Sequence, residues 1–141
     1  MYGVDLIKRW EGFSAKAYKC PAGVWTIGYG STKWEDGTPV KSGQTITREK
    51  AEGLLVDYLN KYVRPKLADL RLNSSQQAAI ESLCYNIGVN GFLRSKCYKA
   101  LKERDWFTFI KEYDWVKANG KVLMGLAKRR TEELYTFFKD M

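Results

Sequence analysis

The chain has 141 residues and a formal net charge of +8, from 24 lysines and arginines against 16 aspartates and glutamates. Apolar residues make up 45% of it, enough for one compact domain, and its longest uncharged stretch, residues 20–32, is too short to span a bilayer. Positive charge favours an anionic partner, which includes nucleic acid, an acidic membrane surface or an acidic wall polymer, but a solvated basic surface is an equal interpretation.

Histidine is absent and there are only three scattered cysteines, Cys20, Cys84 and Cys97. The usual zinc-binding sets and a disulfide-rich scaffold are therefore excluded, and we expect no metal site. Three free thiols are the expectation, with a Cys84–Cys97 bridge left open.

Residues 4–11 are predicted to form a short helix, because apolar residues including Leu6 and Trp10 recur at helical spacing and Gly12 follows as a C-terminal cap. The helix ends on Glu11. The residues before it have neither the basic nor the apolar region of a signal peptide, so we expect no signal-anchor.

Residues 16–40 alternate β-favouring side chains with glycine and proline, which predicts two or three short antiparallel strands. If residues 21–25 form a five-residue loop, Cys20 and Thr26 face each other on one side of a hairpin. Gly28 and Gly30 leave strand positions bare, as is typical where a ligand or another backbone approaches closely.

Thr47 is a good N-cap for a long helix that runs to about residue 63 or 64 and is stopped by Pro65. From Asn73 onward the chain is predicted to be helical throughout, with a cap at Asn73 or Ser74 and a turn at Asn119-Gly120. The predicted helices cover residues 74–88, 92–102, 106–116 and 126–138.

The aromatic residues of the last third recur at helical spacing, so we interpret them as core rather than as a ligand site. They are Trp106, Phe107, Phe109, Trp115, Tyr135, Phe137 and Phe138. Arg129 and Arg130, close to Glu132 and Glu133, are interpreted as a structural ion pair, and a cleft arginine is the alternative.

One spacing carries the chemistry: Glu11, then Cys20 nine residues later, then Thr26 six residues after that. A carboxylic acid that protonates, a polar partner and a hydroxyl that positions water are the groups needed to break a glycosidic bond. Each has an ordinary alternative: a solvated glutamate, a small buried thiol, and a β-branched residue that favours strands.

These residues resemble the catalytic pattern of phage-type lysozymes, glycoside hydrolase family 24, which has Asp or Cys in the middle position. The glycine-spaced stretch at residues 23–30, the stretch at 85–88 with Phe92, and the stretch at 125–130 with Glu132 or Glu133 agree with the same family. Family members commonly have histidine where this chain has Ser31, so a local polar contact is expected to differ.

The resemblance implies an α+β, lysozyme-like fold in a single domain spanning residues 1–141. A small β-hairpin lobe, about residues 12–60, would be joined through a long helix to a larger all-helical lobe. That lobe would cover about residues 61–141, packed with the helix of residues 1–12, and a cleft would lie between the two lobes.

The resemblance also implies hydrolysis of the β-1,4 bond between N-acetylmuramic acid and N-acetylglucosamine in peptidoglycan, with Glu11 as general acid and Thr26 holding the water. Cys20 would be a base, a nucleophile or only a polar spacer. Four residues would line the sugar cleft: Thr32, Tyr85, Asn86 and Ser95. For Tyr85 a core position, and for Asn86 a turn or cap, are the alternatives. No cofactor and a monomeric protein are expected.

Three other functions are also compatible with the sequence. A lytic transglycosylase also uses one glutamic acid, but the muramic 6-hydroxyl replaces water. A catalytically weak wall-binding protein would result if Cys20 leaves the site too poor in charge. A nucleic-acid binder is disfavoured because the basic residues are spread over many segments. For the hydrolase, we expect a location in the host cytoplasm before release to the periplasm or cell wall.

Overall fold

The computed structural model of this protein describes residues 2–141 and contains helices together with two small antiparallel hairpins. The first hairpin follows an N-terminal helix, and the second interrupts the helices near the C-terminus. In chain order the elements are α1 (Val4–Glu11), β1 (Ser14–Lys19), β2 (Trp25–Gly28), α2 (Arg48–Tyr58), a π-helical turn (Leu59–Val63), α3 (Arg64–Leu67), a 3₁₀ turn (Ala68–Leu70), α4 (Ser74–Ile87), α5 (Val89–Leu93), α6 (Lys96–Glu103), α7 (Trp106–Glu112), β3 (Lys117–Ala118), β4 (Lys121–Val122) and α8 (Met124–Phe138).

Helix α1 spans the predicted residues and packs against α4 through its buried side chains Val4 and Ile7. The Gly3 amide, one of the free donors at the start of a helix, donates to the buried Glu81 carboxylate at 3.0 Å. A Cβ atom on Gly3 would lie 2.7 Å from the Ala78 carbonyl oxygen, so only glycine permits this approach. The contact places the end of α1 beside α4.

The first hairpin differs from the prediction in the length of its loop. Strands β1 and β2 pair Tyr18 with Thr26, and the Cys20 amide donates to the Val24 carbonyl at 3.0 Å. The loop is therefore shorter than five residues, because Gly23 turns the chain with a φ of 81°. Tyr18, not Cys20, lies directly opposite Thr26, so the register of the predicted facing pair is wrong by two residues.

The long helix begins where predicted, with the Thr47 hydroxyl accepting from the Lys50 amide at 3.2 Å, but it does not stop at Pro65. A π-helical turn precedes the proline, and the Arg64 amide bonds to the Leu59 carbonyl. Pro65 then falls in the first turn of a new helical segment, where its missing N–H is not required. The helical path consequently continues to Leu70.

The C-terminal region is mostly helical, and its first helix has the predicted cap. The side chains of Asn73 and Gln76 each accept from the other's backbone amide, forming a complete capping box. The helix predicted for residues 92–102 begins later, at Lys96, because Ser95 caps it; the helix predicted for residues 106–116 begins as predicted after the Asp105 cap but ends at Glu112. The expectation of helix throughout is wrong at residues 117–122, where the Asn119-Gly120 turn joins two short strands.

One buried apolar cluster connects the hairpin region to the helices, and the α+β prediction is confirmed. Ile27 and Val40 from the hairpin region belong to the same cluster as Phe92 and Phe137 from the helices. Of the seven aromatic residues interpreted as core, Phe107 and Tyr135 are exposed by 80% and 72% and contradict the prediction. They sit on the outer faces of α7 and α8. Within residues 2–141, no helix is both long and apolar enough to cross a bilayer.

Candidate active site

Glu11 ends helix α1 and has a different neighbour for each carboxylate oxygen. Its Oε2 accepts a hydrogen bond from Nη1 of Arg129, on α8, at 2.8 Å. Its Oε1 faces the backbone of Gly30, where a Cβ atom would come within 2.7 Å. The side chain is 21% exposed, so the carboxyl group is held firmly and is still reached by solvent.

Gly30 has to be glycine for two reasons. Its φ of 87° lies in the left-handed region that other residues avoid, and any side chain would displace the Glu11 carboxylate. The ring of Tyr85 lies 3.6 Å from the same point, and its hydroxyl donates to the Tyr29 carbonyl at 2.7 Å. Burial raises the pKa of Tyr85, so the phenol stays protonated and joins α4 to the hairpin.

Arg129 is oriented by a buried network centred on Glu133, whose side chain has no exposed surface. The Arg129 Nε lies 3.3 Å from Glu133 Oε2, and its Nη2 donates to the Ser82 carbonyl at 3.1 Å. Glu133 also receives hydrogen bonds from Ser82 at 2.5 Å and Tyr113 at 3.0 Å, and it pairs with Arg130 at 2.8 Å. Residues of three helices, α1, α4 and α8, therefore contact the Arg129 guanidinium, which in turn binds Glu11.

Arg129 and Arg130 fit both interpretations made from the sequence, the structural ion pair and the cleft arginine. Arg129 and Arg130 form the predicted structural pairs, and their partner is Glu133. Glu132 instead accepts from Arg9 at 2.7 Å and from the Trp10 indole at 2.6 Å. Arg129 additionally reaches Glu11, so it is also the arginine of the site, a role that the sequence interpretation had ranked second.

Cys20 and Thr26 lie near the turn of the first hairpin. The Cys20 thiol is partly exposed, and the backbone amides of Val24 and Ala22 lower its pKa. Thr26 is 5% exposed, and its hydroxyl donates to the Val24 carbonyl at 3.0 Å. The thiol is therefore easier to ionise than an ordinary cysteine, and both lone pairs of the Thr26 oxygen can still accept.

Tyr18 is a residue of this site that sequence reasoning missed. It lies opposite Thr26, is 41% exposed, and its pKa is raised by partial burial and by the nearby charges of Glu11 and Cys20. The charges of both groups therefore act on the phenol. The signal was present in the sequence, because residues 18 and 20 point to the same face of a strand.

The four predicted sugar contacts differ in their surroundings. Tyr85 lies beside Glu11, as described above, while Thr32 and Asn86 are exposed to solvent. The Ser95 hydroxyl accepts from the Tyr98 amide at 3.1 Å and donates to the Phe92 carbonyl at 2.6 Å, which makes it a helix cap. One lone pair of the Ser95 oxygen stays available to a ligand.

The other two cysteines are buried structural thiols, and the bridge left open by the sequence does not form: Cys84 and Cys97 are both free. Burial raises the pKa of both, that of Cys97 to about 12, so neither is a nucleophile at neutral pH. Among residues 2–141, no cluster of three acidic, cysteine or histidine side chains is arranged to hold a metal ion.

Comparisons with known proteins identify the family of this chain. The phage lysozyme family model matches residues 8–133. An endolysin of Acyrthosiphon pisum secondary endosymbiont phage 1 is 39% identical over 142 residues, covering 96% of this chain and 94% of the relative. An endolysin of Bacillus phage B103 is 36% identical, and this chain spans 52% of its length. The structure of a P22 lysozyme mutant superimposes with a TM-score of 0.79 at 35% identity, covering 96% of this chain and 94% of that one.

The match extends over nearly the whole chain and includes the segments that supply Glu11, Thr26 and Arg129. The chain belongs to the phage lysozyme family. It is a glycoside hydrolase of the endolysin type that acts on bacterial peptidoglycan.

Proposed function

We propose that this enzyme cleaves the β-1,4 bond between N-acetylmuramic acid and N-acetylglucosamine, with Glu11 as the general acid. The observation that carries the proposal is the position of the Glu11 carboxylate. It is fixed by Arg129 at 2.8 Å and by the bare backbone of Gly30, and it is still open to solvent on one side. A general acid has to be held in this way to reach the leaving oxygen.

Glu11 donates a proton to the glycosidic oxygen as the bond to the anomeric carbon breaks. Positive charge then develops on the sugar ring, and water adds to the anomeric carbon directly or after a covalent step, giving up one proton to a base or to solvent. Thr26 supports the direct route, since its oxygen has two lone pairs free to accept from a water molecule. Once its proton is lost, Glu11 forms a full ion pair with Arg129, which stabilises the product state of the enzyme.

Cys20 keeps three candidate roles: base, nucleophile and polar spacer. The hydrogen bonds that lower the pKa of its thiol favour a role in which it becomes anionic and stabilises the developing positive charge. Replacing Cys20 by Asp tests this idea, because a carboxylate is fully ionised at neutral pH. A large gain in activity would show that incomplete ionisation of the thiol limits the reaction.

For substrate binding we propose that Tyr85, Thr32 and Asn86 contact the glycan, with Ser95 contributing one acceptor. Tyr85 offers an aromatic ring to the CH face of a sugar, while Thr32 and Asn86 are exposed polar groups that match amides and hydroxyls. The net charge of +8 attracts the enzyme to an anionic cell wall. Lysis is therefore expected to weaken as salt screens this attraction.

We further propose that the enzyme is a monomer and that it lies in the host cytoplasm before release to the periplasm or wall. A single buried apolar cluster within one chain supports the monomer, since the core is complete without a partner. Light scattering coupled to size-exclusion chromatography tests this, and a mass near 16.3 kDa is expected.

Mass spectrometry of the fragments released from purified peptidoglycan tests the reaction itself. The wild type should release fragments with reducing muramic ends, and Glu11→Gln should lower the rate by a factor of about 10² to 10⁴. Anhydro-muramic ends would instead identify a transglycosylase. Unchanged activity of Glu11→Gln would remove Glu11 from the mechanism.

A further inference from the structure

A row of three tyrosine rings leaves the candidate active site along the helix that follows the first hairpin. Tyr85 stands edge to face against Tyr58, with ring centroids 5.4 Å apart, and Tyr58 contacts Tyr62 at 5.1 Å. Because the Tyr85 ring lies beside Gly30 and Glu11, the row begins at the catalytic carboxylate. We call these residues the tyrosine row.

The outer two rings of the tyrosine row are open to solvent, with Tyr58 exposed by 37% and Tyr62 by 55%. Their neighbours Leu59 and Val63 are fully buried, so this part of the helix already has its core-facing side. Packing of the apolar core therefore does not account for two large aromatic rings here. Solvent-exposed aromatic groups in contact with one another are typical of ligand surfaces.

The backbone under the row is also irregular. Tyr58 is the last residue of α2, and Tyr62 lies within the π-helical turn of Leu59–Val63. Such turns are rare inside helices and occur frequently at functional sites. Here the turn accompanies the placement of both rings on one side of the helix.

Polar groups border the row without giving it a net charge. Lys61 pairs with Asp57 at 3.0 Å, and the Lys61 ammonium also lies 3.5 Å from the Glu35 carbonyl in the loop after the first hairpin. The two opposite charges compensate each other, so this surface does not select an anionic partner. Rings bordered by hydrogen-bonding groups instead fit a neutral sugar such as N-acetylglucosamine, which has apolar CH faces and a polar rim.

We propose that Tyr58 and Tyr62 form an additional glycan subsite, which binds sugar rings of the peptidoglycan strand beyond the pair being cleaved. The proposal rests on the proposed function, since it takes Glu11 as the point of cleavage. Sugar faces would stack on the two exposed rings, and Lys61 and Asp57 would bond to their hydroxyls. The enzyme would then prefer long glycan strands over short ones.

Steady-state kinetics on peptide-free glycan chains of two and of four disaccharides tests the subsite. For Tyr62→Leu, we expect KM on the longer chain to rise about threefold to tenfold more than KM on the shorter chain. Tyr62→Phe keeps the ring and should retain the wild-type ratio. The matched control is Tyr135→Leu, because Tyr135 is exposed by 72% on α8 and lies outside the row.

The subsite is overturned if the ratio of KM on the longer chain to KM on the shorter chain is the same for the wild type and Tyr62→Leu. It is also overturned if Tyr135→Leu raises this ratio as much as Tyr62→Leu does. Thermal melting checks that Tyr62→Leu is folded, and Tyr62→Gln replaces it if it is not. Failure of the proposed function is a separate result, seen as absence of cleavage by the wild type. In that case calorimetric binding of the four-disaccharide chain to Glu11→Gln, with and without Tyr62→Leu, decides the subsite on affinity alone.

Discussion

The hairpin side and the helical side of the active site differ in solvent exposure and in the interactions that position their residues. On the hairpin side, Cys20 and Tyr18 are partly exposed, and the backbone conformation at Gly30 sets the geometry. On the helical side, Arg129 and Glu133 are buried, and each has several hydrogen-bonding partners. The hairpin side is solvent-exposed and positioned by its backbone conformation, whereas the helical side is buried and positioned by ion pairs and hydrogen bonds.

The difference follows from what each side has to do. Groups that meet water and sugar have to be exposed, and there single hydrogen bonds contribute little to stability. A charged side chain that orients a carboxylate of the site is best buried, because packing then fixes its orientation. Burial also makes the stability of each charged group depend on its partner. Mutations on the helical side should therefore cost stability, and mutations on the hairpin side should cost activity.

The largest effect on stability is expected from Glu133→Gln. Its carboxylate is the common partner of two buried arginines, so its loss leaves Arg130 without a carboxylate partner and Arg129 with Glu11 alone. We expect the free energy of unfolding to fall by about 3–5 kcal/mol, measured by urea denaturation. Glu103→Gln is the control, since Glu103 is exposed and its substitution should stay within about 0.5 kcal/mol. A loss below 1 kcal/mol for Glu133→Gln would show that the network does not depend on this charge.

A comparison of Gly30→Ala with Gly37→Ala separates the effect of backbone strain from the effect of displacing Glu11, the proposed general acid. Both glycines have a φ of 87°, but a Cβ atom meets Glu11 only at position 30, and at Gly37 nothing lies within 4 Å. Strain should lower the stability of both variants by roughly 1–3 kcal/mol. Only Gly30→Ala should lose activity, on the order of a hundredfold, because the carboxylate moves. Equal activity of the two variants in a turbidity assay would contradict the role of this contact.

Thr26→Val against Thr131→Val isolates the Thr26 hydroxyl. Both hydroxyls donate to a backbone carbonyl, at 3.0 Å for Thr26 and 2.9 Å for Thr131, so each substitution should cost about 1 kcal/mol of stability. Hydrolysis should slow only for Thr26→Val, because this is the oxygen that we propose holds the attacking water. A matching rate for both variants in the peptidoglycan assay would remove Thr26 from the mechanism.

The smallest perturbation is alkylation of the cysteines followed over pH. Backbone hydrogen bonds lower the pKa of Cys20, whereas burial raises that of Cys97 to about 12. Since the thiolate is the reactive form, iodoacetamide should modify Cys20 first, with a half-maximal rate at a lower pH than for an ordinary cysteine. Peptide mapping by mass spectrometry identifies the site. Faster reaction at Cys97 or Cys84 would contradict the assigned environments.

Local patterns in the sequence were sufficient for much of the fold and for the centre of the site. Helix α1, the caps at Thr47 and Asn73 and the turn at Asn119-Gly120 follow from interactions between residues within a few positions of each other. Such contacts leave a direct signature in spacing and residue type. The same holds for the motif containing Glu11, which identified the family.

Long-range contacts and exact loop geometry were decided only in the tertiary structure. The partner of Glu11 is Arg129, 118 positions away, and no local pattern links the two residues. The shorter hairpin loop put Tyr18 opposite Thr26, and the π-helical turn carried the helix past Pro65. By itself the sequence determined which chemical groups are present and which short elements carry them. The tertiary structure decided which of those groups meet, because packing brings distant segments together and selects among locally similar alternatives.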